Sequence, residues 1–220
     1  MDSRVHVVDH PVVTDRLAHL RCATTPSGEF RRVVEEIGLL LAYEATADLQ
    51  TREDRVRTPV AEARVRRLAQ PAPVVAPILR AGLGLLSGFL SLIDEAVVAH
   101  LGFYRDPQSL EAIPYYANLP ADLANRRVYA VDPMLATGNS AVAALRVLAS
   151  HGASDVTLIC LIAAPEGVEN VQRTYPRTRI VTAALDERLN EHAYIVPGLG
   201  DAGDRMYGST SSVPAMVNPA

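Results

Sequence analysis

The sequence predicts an α/β protein with a central, mostly parallel sheet flanked by helices, and three observations predict it. From Val74 onward, short apolar runs alternate with helical stretches. Those runs are continuous rather than alternately polar, which is how strands read when helices cover both faces of a sheet. With 220 residues, 49% of them apolar, the chain can bury one substantial core.

Each element follows in order. Phe30, Val33, Val34, Ile37, Leu40 and Leu41 recur at helical spacing between Phe30 and Tyr43, with Thr25-Pro26 as cap and first turn. Leu49 to Pro73 is polar and arginine-rich, and Val56 to Ala69 reads as either a strand or a short helix. The apolar and helical segments then alternate: Val74 to Leu79, Leu83 to Ile93, Ala96 to Phe103. They resume with Val128 to Val131, Ser140 to Ser150, Val156 to Ala163, Val168 to Tyr175 and Ile180 to Ala184. Arg105 to Arg127, with three prolines, adjacent Tyr115 and Tyr116 and little period, reads as a mobile flap or an edge hairpin.

Composition excludes several classes of function. The formal charge of −4 offers no general attraction to nucleic acid. No apolar run reaches membrane-spanning length and Met1 to His10 has no signal-peptide pattern, so a soluble, cytoplasmic protein with no membrane partner is expected. Cys22 and Cys160 are too few for a disulfide framework, and Cys160, inside an apolar run, reads as a buried inert thiol. All 21 basic residues are arginine. Without lysine there is neither Schiff-base chemistry nor a lysine-bearing P-loop, and a polyphosphate must be held by arginine, backbone amides and metal.

In such sheets ligands bind beyond the carboxyl ends of the strands, so the residues after each apolar run carry the functional signal. VYAVDPMLATGNS, Val128 to Ser140, is a strand, an acid at its end, a small-residue turn and a helix start. Backbone N–H groups in the turn and the positive end of the helix suit a phosphate, with Thr137 and Ser140 adding hydroxyls. An ordinary strand-to-helix turn capped by Asp132 is the competing reading, and the acid before the small-residue turn shifts the balance toward phosphate. PILRAGLG, Pro77 to Gly84, offers Arg80 as a bidentate fork and glycines for close backbone approach. GFYRD supplies a second arginine, Arg105, at the start of the flap. Tyr194 to Ser209, with four glycines, two aspartates and no regular period, reads as an ordered loop able to recognise a flat heterocycle through backbone groups, against a plain glycine-rich tail.

These segments carry a resemblance. Val128 to Ser140 resembles the motif that binds phosphoribosyl pyrophosphate (PRPP) in type I phosphoribosyltransferases, and its form DPMLATG, with Pro133 where the general motif has a second acid, is similar to the uracil phosphoribosyltransferase branch. PGLGDAGDR, Pro197 to Arg205, resembles that branch's uracil-binding signature. VVDHP, LLAYEAT, AAPEG and LNEHAYIVPG extend the likeness over nearly the whole chain; it is weakest over Thr51 to Pro73.

The resemblance implies a single type I phosphoribosyltransferase-like domain over residues 1–220, with a small hood from the N-terminal and C-terminal segments and a flexible flap over about 105–127. It implies a pentosyltransferase that converts uracil and PRPP to UMP and pyrophosphate in pyrimidine salvage. Asp132 would face the ribose hydroxyls, with Pro133, Met134 and Leu135 following it in the PRPP motif. Ala136, Thr137, Gly138, Asn139 and Ser140 would hold the 5-phosphate, Asn139 standing where the family usually has glycine. Arg80 and Arg105 would bind pyrophosphate, Ile195, Gly200 and Ala202 would contact uracil through backbone atoms, and Asp201 would contact uracil, PRPP or its magnesium. Asp132, Arg80, Arg105 and Asp201 are the implied catalytic residues, and a backbone carbonyl or Asp201 would receive the uracil proton, since no histidine is obviously positioned for it. The cofactor implied is Mg2+, the assembly a homodimer or higher homo-oligomer, and the effector, as in some relatives, GTP. A regulator that binds RNA through the same fold, and a purine-specific transferase, are the competing readings; the acidic charge and the complete PGLGDAGDR segment argue against the first.

Overall fold

The computed structural model describes residues 4–69, 71–105 and 112–209. The chain enters as a short strand, β1 (Val5–Val7), followed by helices α1 (Pro11–Arg21) and α2 (Ser27–Thr46). Thr25-Pro26 does not act as a side-chain cap. Pro26 occupies the N-cap of α2 without a capping bond, while Thr25 Oγ1 donates to His19 O at 2.6 Å. The ambiguous arginine-rich stretch resolves into an antiparallel ribbon, β2 (Thr51–Arg57) and β3 (Glu62–Leu68), which pairs only with itself and is largely exposed.

The α/β alternation follows: β4 (Val74–Leu79), α3 (Leu83–Leu92), β5 (Val97–Val98), β6 (Leu101–Arg105) and β7 (Ala112–Ala117). The single run expected over Ala96 to Phe103 is thus split in two. Of the flap segment, Ala112–Ala117 forms an edge hairpin, with β7 antiparallel to β6 and Arg105 paired with Ala112, and a short 3-10 turn follows at Leu123–Asn125; residues 106–111 and the Arg105 side chain lie outside the described residues. The chain continues through β8 (Val128–Val131), β9 (Met134–Leu135), α4 (Asn139–Ser150), β10 (Val156–Ala163), α5 (Pro165–Thr174), β11 (Arg179–Leu185), β12 (Arg188–Leu189), β13 (Ile195–Val196) and α6 (Ala202–Tyr207).

The main sheet has the order β1-β11-β10-β8-β4-β6-β7, with β5 also on β4 and β9 also on β10. Every pairing in it except β6 with β7 is parallel. Two-sided burial explains the continuous apolar runs. On one face Val75, Tyr129, Val131, Ile159 and Leu161 pack with residues of α1, α2, α3 and α6. On the other, Val74, Ala76, Val128, Ala130, Leu158 and Cys160 pack with α4 and α5. Cys160 is fully buried, and burial pushes its thiol up to about 12, as an inert thiol requires. Among the described residues, no helix is long and apolar enough to cross a membrane.

Candidate active site

Asp132, directly after β8, is half-buried at the cleft, and Pro133 follows it. Lacking an N–H, Pro133 offers the ladder no donor, and it stands between β8 and β9. Its carbonyl accepts from both Leu161 N (3.0 Å) and Ile162 N (3.2 Å), so the break is anchored to β10. Pro133 itself is buried in the sheet and does not line the cleft. Asp132, one residue earlier, does.

The cleft holds about 530 Å³ at the carboxyl ends of β4 and β8. It gathers Arg80, which follows β4; Asp132, Met134, Leu135 and Ala136; the turn Thr137, Gly138, Asn139 and Ser140; and Ile195, Gly200, Asp201 and Ala202 from the distant C-terminal loop. Three segments separated by more than 50 residues in the sequence therefore share one space. Tyr194 and Gly203, from the same C-terminal loop, also line it, as do His192, Ala193, Ala81 and Ala141, which carry no site signal of their own in the motifs above. For His192 the sequence carries one signal, the run LNEHAYIVPG, in which the histidine sits three residues before Ile195.

The phosphate turn is shaped by its backbone. Gly138, at φ +79°, caps α4 in the left-handed region, where glycine is at home. A Cβ there would also meet Gly167 O at 2.8 Å, and one on Gly167 would meet Ala136 O at 2.3 Å, so the turn and the start of α5 are in backbone contact. Asn139 is the first residue of α4, so its backbone is helical and right-handed. The first turn of α4 contains no acidic residue, which leaves its N-terminal N–H groups and dipole to an anion.

Gly82 and Gly84 serve packing rather than ligand approach. A Cβ on Gly82 would lie 2.4 Å from Val131 O, and one on Gly84 2.4 Å from Met206 Sδ. They seat the turn after β4 against β8 and α6. Arg80 remains exposed on the cleft, and its carbonyl accepts from Tyr207 Oη at 3.2 Å.

Electrostatics single out Asp132. Removal from water pushes its carboxyl up to about 7; the Met134 backbone N–H pulls it down, and the charge of Asp201 adds to the rise. Two carboxylates thus face one cleft, and a cation between them would relieve both. Asp201 caps α6, its Oδ1 accepting from Asp204 N at 2.9 Å, which leaves Oδ2 outside the capping bond. The expected irregular loop ends here, because Ala202–Tyr207 is a helix.

Arginines hold the C-terminal loop in place. Arg21 grips Asp186 with both guanidinium nitrogens (2.8 and 2.6 Å) and donates to Gly198 O at 2.8 Å, while Gly198 N donates to Asp186 Oδ2 at 2.9 Å. Arg205 donates to Leu199 O at 2.8 Å, to Cys22 O at 2.5 Å and to Leu20 O, and lies over the Phe30 ring at 4.3 Å.

The solved structure of a protein from Aquifex aeolicus matches with a TM-score of 0.89 and 37% identity, covering 94% of this chain and all of that one. A purine phosphoribosyltransferase from Pyrococcus horikoshii, 13% identical, shares the fold at a TM-score of 0.50 over 70% of this chain and 84% of its own. Uracil phosphoribosyltransferases of Staphylococcus epidermidis and Staphylococcus aureus are 51% and 50% identical to it, over 94% of this chain and 99% of each relative. A family model described as uracil phosphoribosyltransferase matches residues 7–209, and with that span, these relatives and a single cleft uniting the phosphate turn with the C-terminal loop, the chain belongs to the uracil phosphoribosyltransferase family.

Proposed function

We propose that this chain transfers the phosphoribosyl group of PRPP to uracil, giving UMP and pyrophosphate. The observation that carries the reading is the union, in one cleft, of the turn Ala136 to Ser140, the cation Arg80 and the loop Ile195 to Ala202. The turn binds the 5-phosphate through backbone N–H groups and the hydroxyls of Thr137 and Ser140. Asp132 accepts from the ribose hydroxyls and, once ionised, faces the positive charge that grows on the sugar as the bond to pyrophosphate lengthens. Arg80 and Arg105 take the negative charge that grows on the leaving group. Uracil lies against Ile195, Gly200 and Ala202, with the N-terminal and C-terminal segments as the hood; a backbone carbonyl can hold its ring N–H by a hydrogen bond, and the carboxylate of Asp201 takes the proton. Enclosing the ribosyl centre keeps water from capturing it.

The donor set suits magnesium carried in by the substrate. Among the described residues no three His, Cys, Asp or Glu side chains gather into a metal cage, whereas Asp132 and Asp201 share the cleft, and a magnesium ion takes one or two carboxylates plus substrate oxygens. When bound, the ion supplies charge neutralisation on the pyrophosphate. On family grounds the chain works in the cytoplasm as a homodimer or higher homo-oligomer with GTP as an effector, which light scattering and UMP formation with and without GTP test.

The direct experiment is incubation with PRPP, magnesium and labelled uracil beside a panel of purine bases. Formation of UMP and pyrophosphate from uracil alone is expected. A purine nucleotide as the main product, or no nucleotide at all, would overturn the reading.

A further inference from the structure

The side-chain amide of Asn139 is set in one orientation by groups that lie outside the phosphate turn. Arg173, on α5, donates from Nη2 to Asn170 Oδ1 at 3.2 Å. A guanidinium has only donors, so the oxygen of Asn170 faces Arg173 and its amide nitrogen faces the turn. That nitrogen donates to Thr137 O at 2.9 Å and to Asn139 Oδ1 at 3.1 Å. The oxygen of Asn139 is therefore occupied, and none of these bonds uses the two N–H groups on its Nδ2. Asn139 is exposed and lines the cleft between Gly138 and Ser140.

We propose that the Asn139 side chain is a phosphate ligand in its own right, its amide NH2 donating to the 5-phosphate of the bound ribose, with Asn170 and Arg173 as positioning residues that fix which end of the amide faces the cleft. The inference rests on the reading of this turn as a phosphate cradle and adds to it a donor that a glycine at 139 would lack. A donor aimed at a dianion makes a charge-assisted bond, stronger than a neutral one. The contacts of Asn170 to Thr137 and Asn139 also join α5 to the turn where Gly138 and Gly167 already touch, so the amide is held on a rigid support.

Calorimetric titration of ribose 5-phosphate into the full-length protein tests this. Asn139→Gly and Asn139→Ala should each weaken binding about tenfold, the size of one hydrogen bond to a charged group, with KM for uracil and melting temperature little changed. Asn139→Asp should weaken it further, because an acceptor then faces the phosphate. Arg173→Ala should weaken it about threefold in the wild-type background and have little added effect beside Asn139→Ala, since both act through one amide. Wild-type binding of ribose 5-phosphate and UMP formation, with Asn139→Gly and Asn139→Ala within about twofold of wild type, would overturn the amide assignment alone. Failure of the wild type itself to bind ribose 5-phosphate would overturn the phosphate cradle and the assignment together.

Discussion

Arg21 and Asp186, 165 residues apart, form a two-pronged ion pair that grips both the N–H and the C=O of Gly198. Asp186 is nearly enclosed, its side chain 4% exposed, and Arg21 is 26% exposed. Breaking such a pair strands the surviving partner without its charge complement. Asp186→Ala should lower stability by about 2–4 kcal/mol in urea unfolding. Because Gly198 leads into Gly200 to Ala202, the same variant should raise KM for uracil more than KM for PRPP; an equal rise in both would argue against a role specific to the base loop.

Asp132 predicts an inverse relation between stability and activity. Its carboxyl, raised to about 7 in the folded protein from 3.8, keeps its proton to higher pH when folded than when unfolded. The contribution is fully present below about pH 4 and is lost as pH rises toward 7. Asp132→Asn removes that loss, so its melting temperature should exceed that of the ligand-free wild type by an amount that grows from pH 4 to pH 7 and reaches about 3–10 °C. Turnover at neutral pH should meanwhile fall by about two orders of magnitude or more. Parallel melting curves at every pH would refute the burial argument.

Arg80 is exposed on the cleft. Arg80→Ala should leave the melting temperature within about 2 °C and cut kcat/KM for PRPP by about 100-fold or more. Near-normal kinetics would remove Arg80 from the pyrophosphate site.

Gly167 has no room for a side chain, since a Cβ would reach Ala136 O and Leu135 O. Gly167→Ala should cost about 1–3 kcal/mol and weaken PRPP binding by displacing the turn, although residue 167 does not line the cleft. Unchanged PRPP affinity in a folded variant would show that the turn is not braced by α5.

What the sequence made legible follows from burial. Strands covered on both faces must be apolar throughout, so β4, β8, β10 and β11 stand out, and the residues just past β4 and β8, Arg80 and Asp132, are then the places to search. The exposed elements gave no such pattern. Only Val56, Ala63 and Val65, with Asp54, are half-buried on one face of the β2–β3 ribbon, too few apolar residues among its arginines and acids to mark a period. Helix α6 has six residues and starts in a glycine-rich run, too short for a period to register. His192 and Tyr194 reach the cleft only through the fold of the β12–β13 ribbon, and the bonds of Arg21 to Asp186 and Gly198 and of Arg205 to Leu20 and Cys22 join residues more than 160 positions apart, a relation no local spacing encodes.

The exposed ribbon has a practical consequence for how the chain can be cut. With no lysine present, every trypsin site is an arginine, and Arg52, Arg55, Arg57, Arg64, Arg66 and Arg67 place six of the 21 on these two strands. A ribbon bonded only to itself opens easily, so sparing trypsin should nick it first and release the chain in two pieces that remain associated through α2. The rate of that first nick, followed as substrates or effectors are added, becomes a gauge of whatever comes to cover the ribbon.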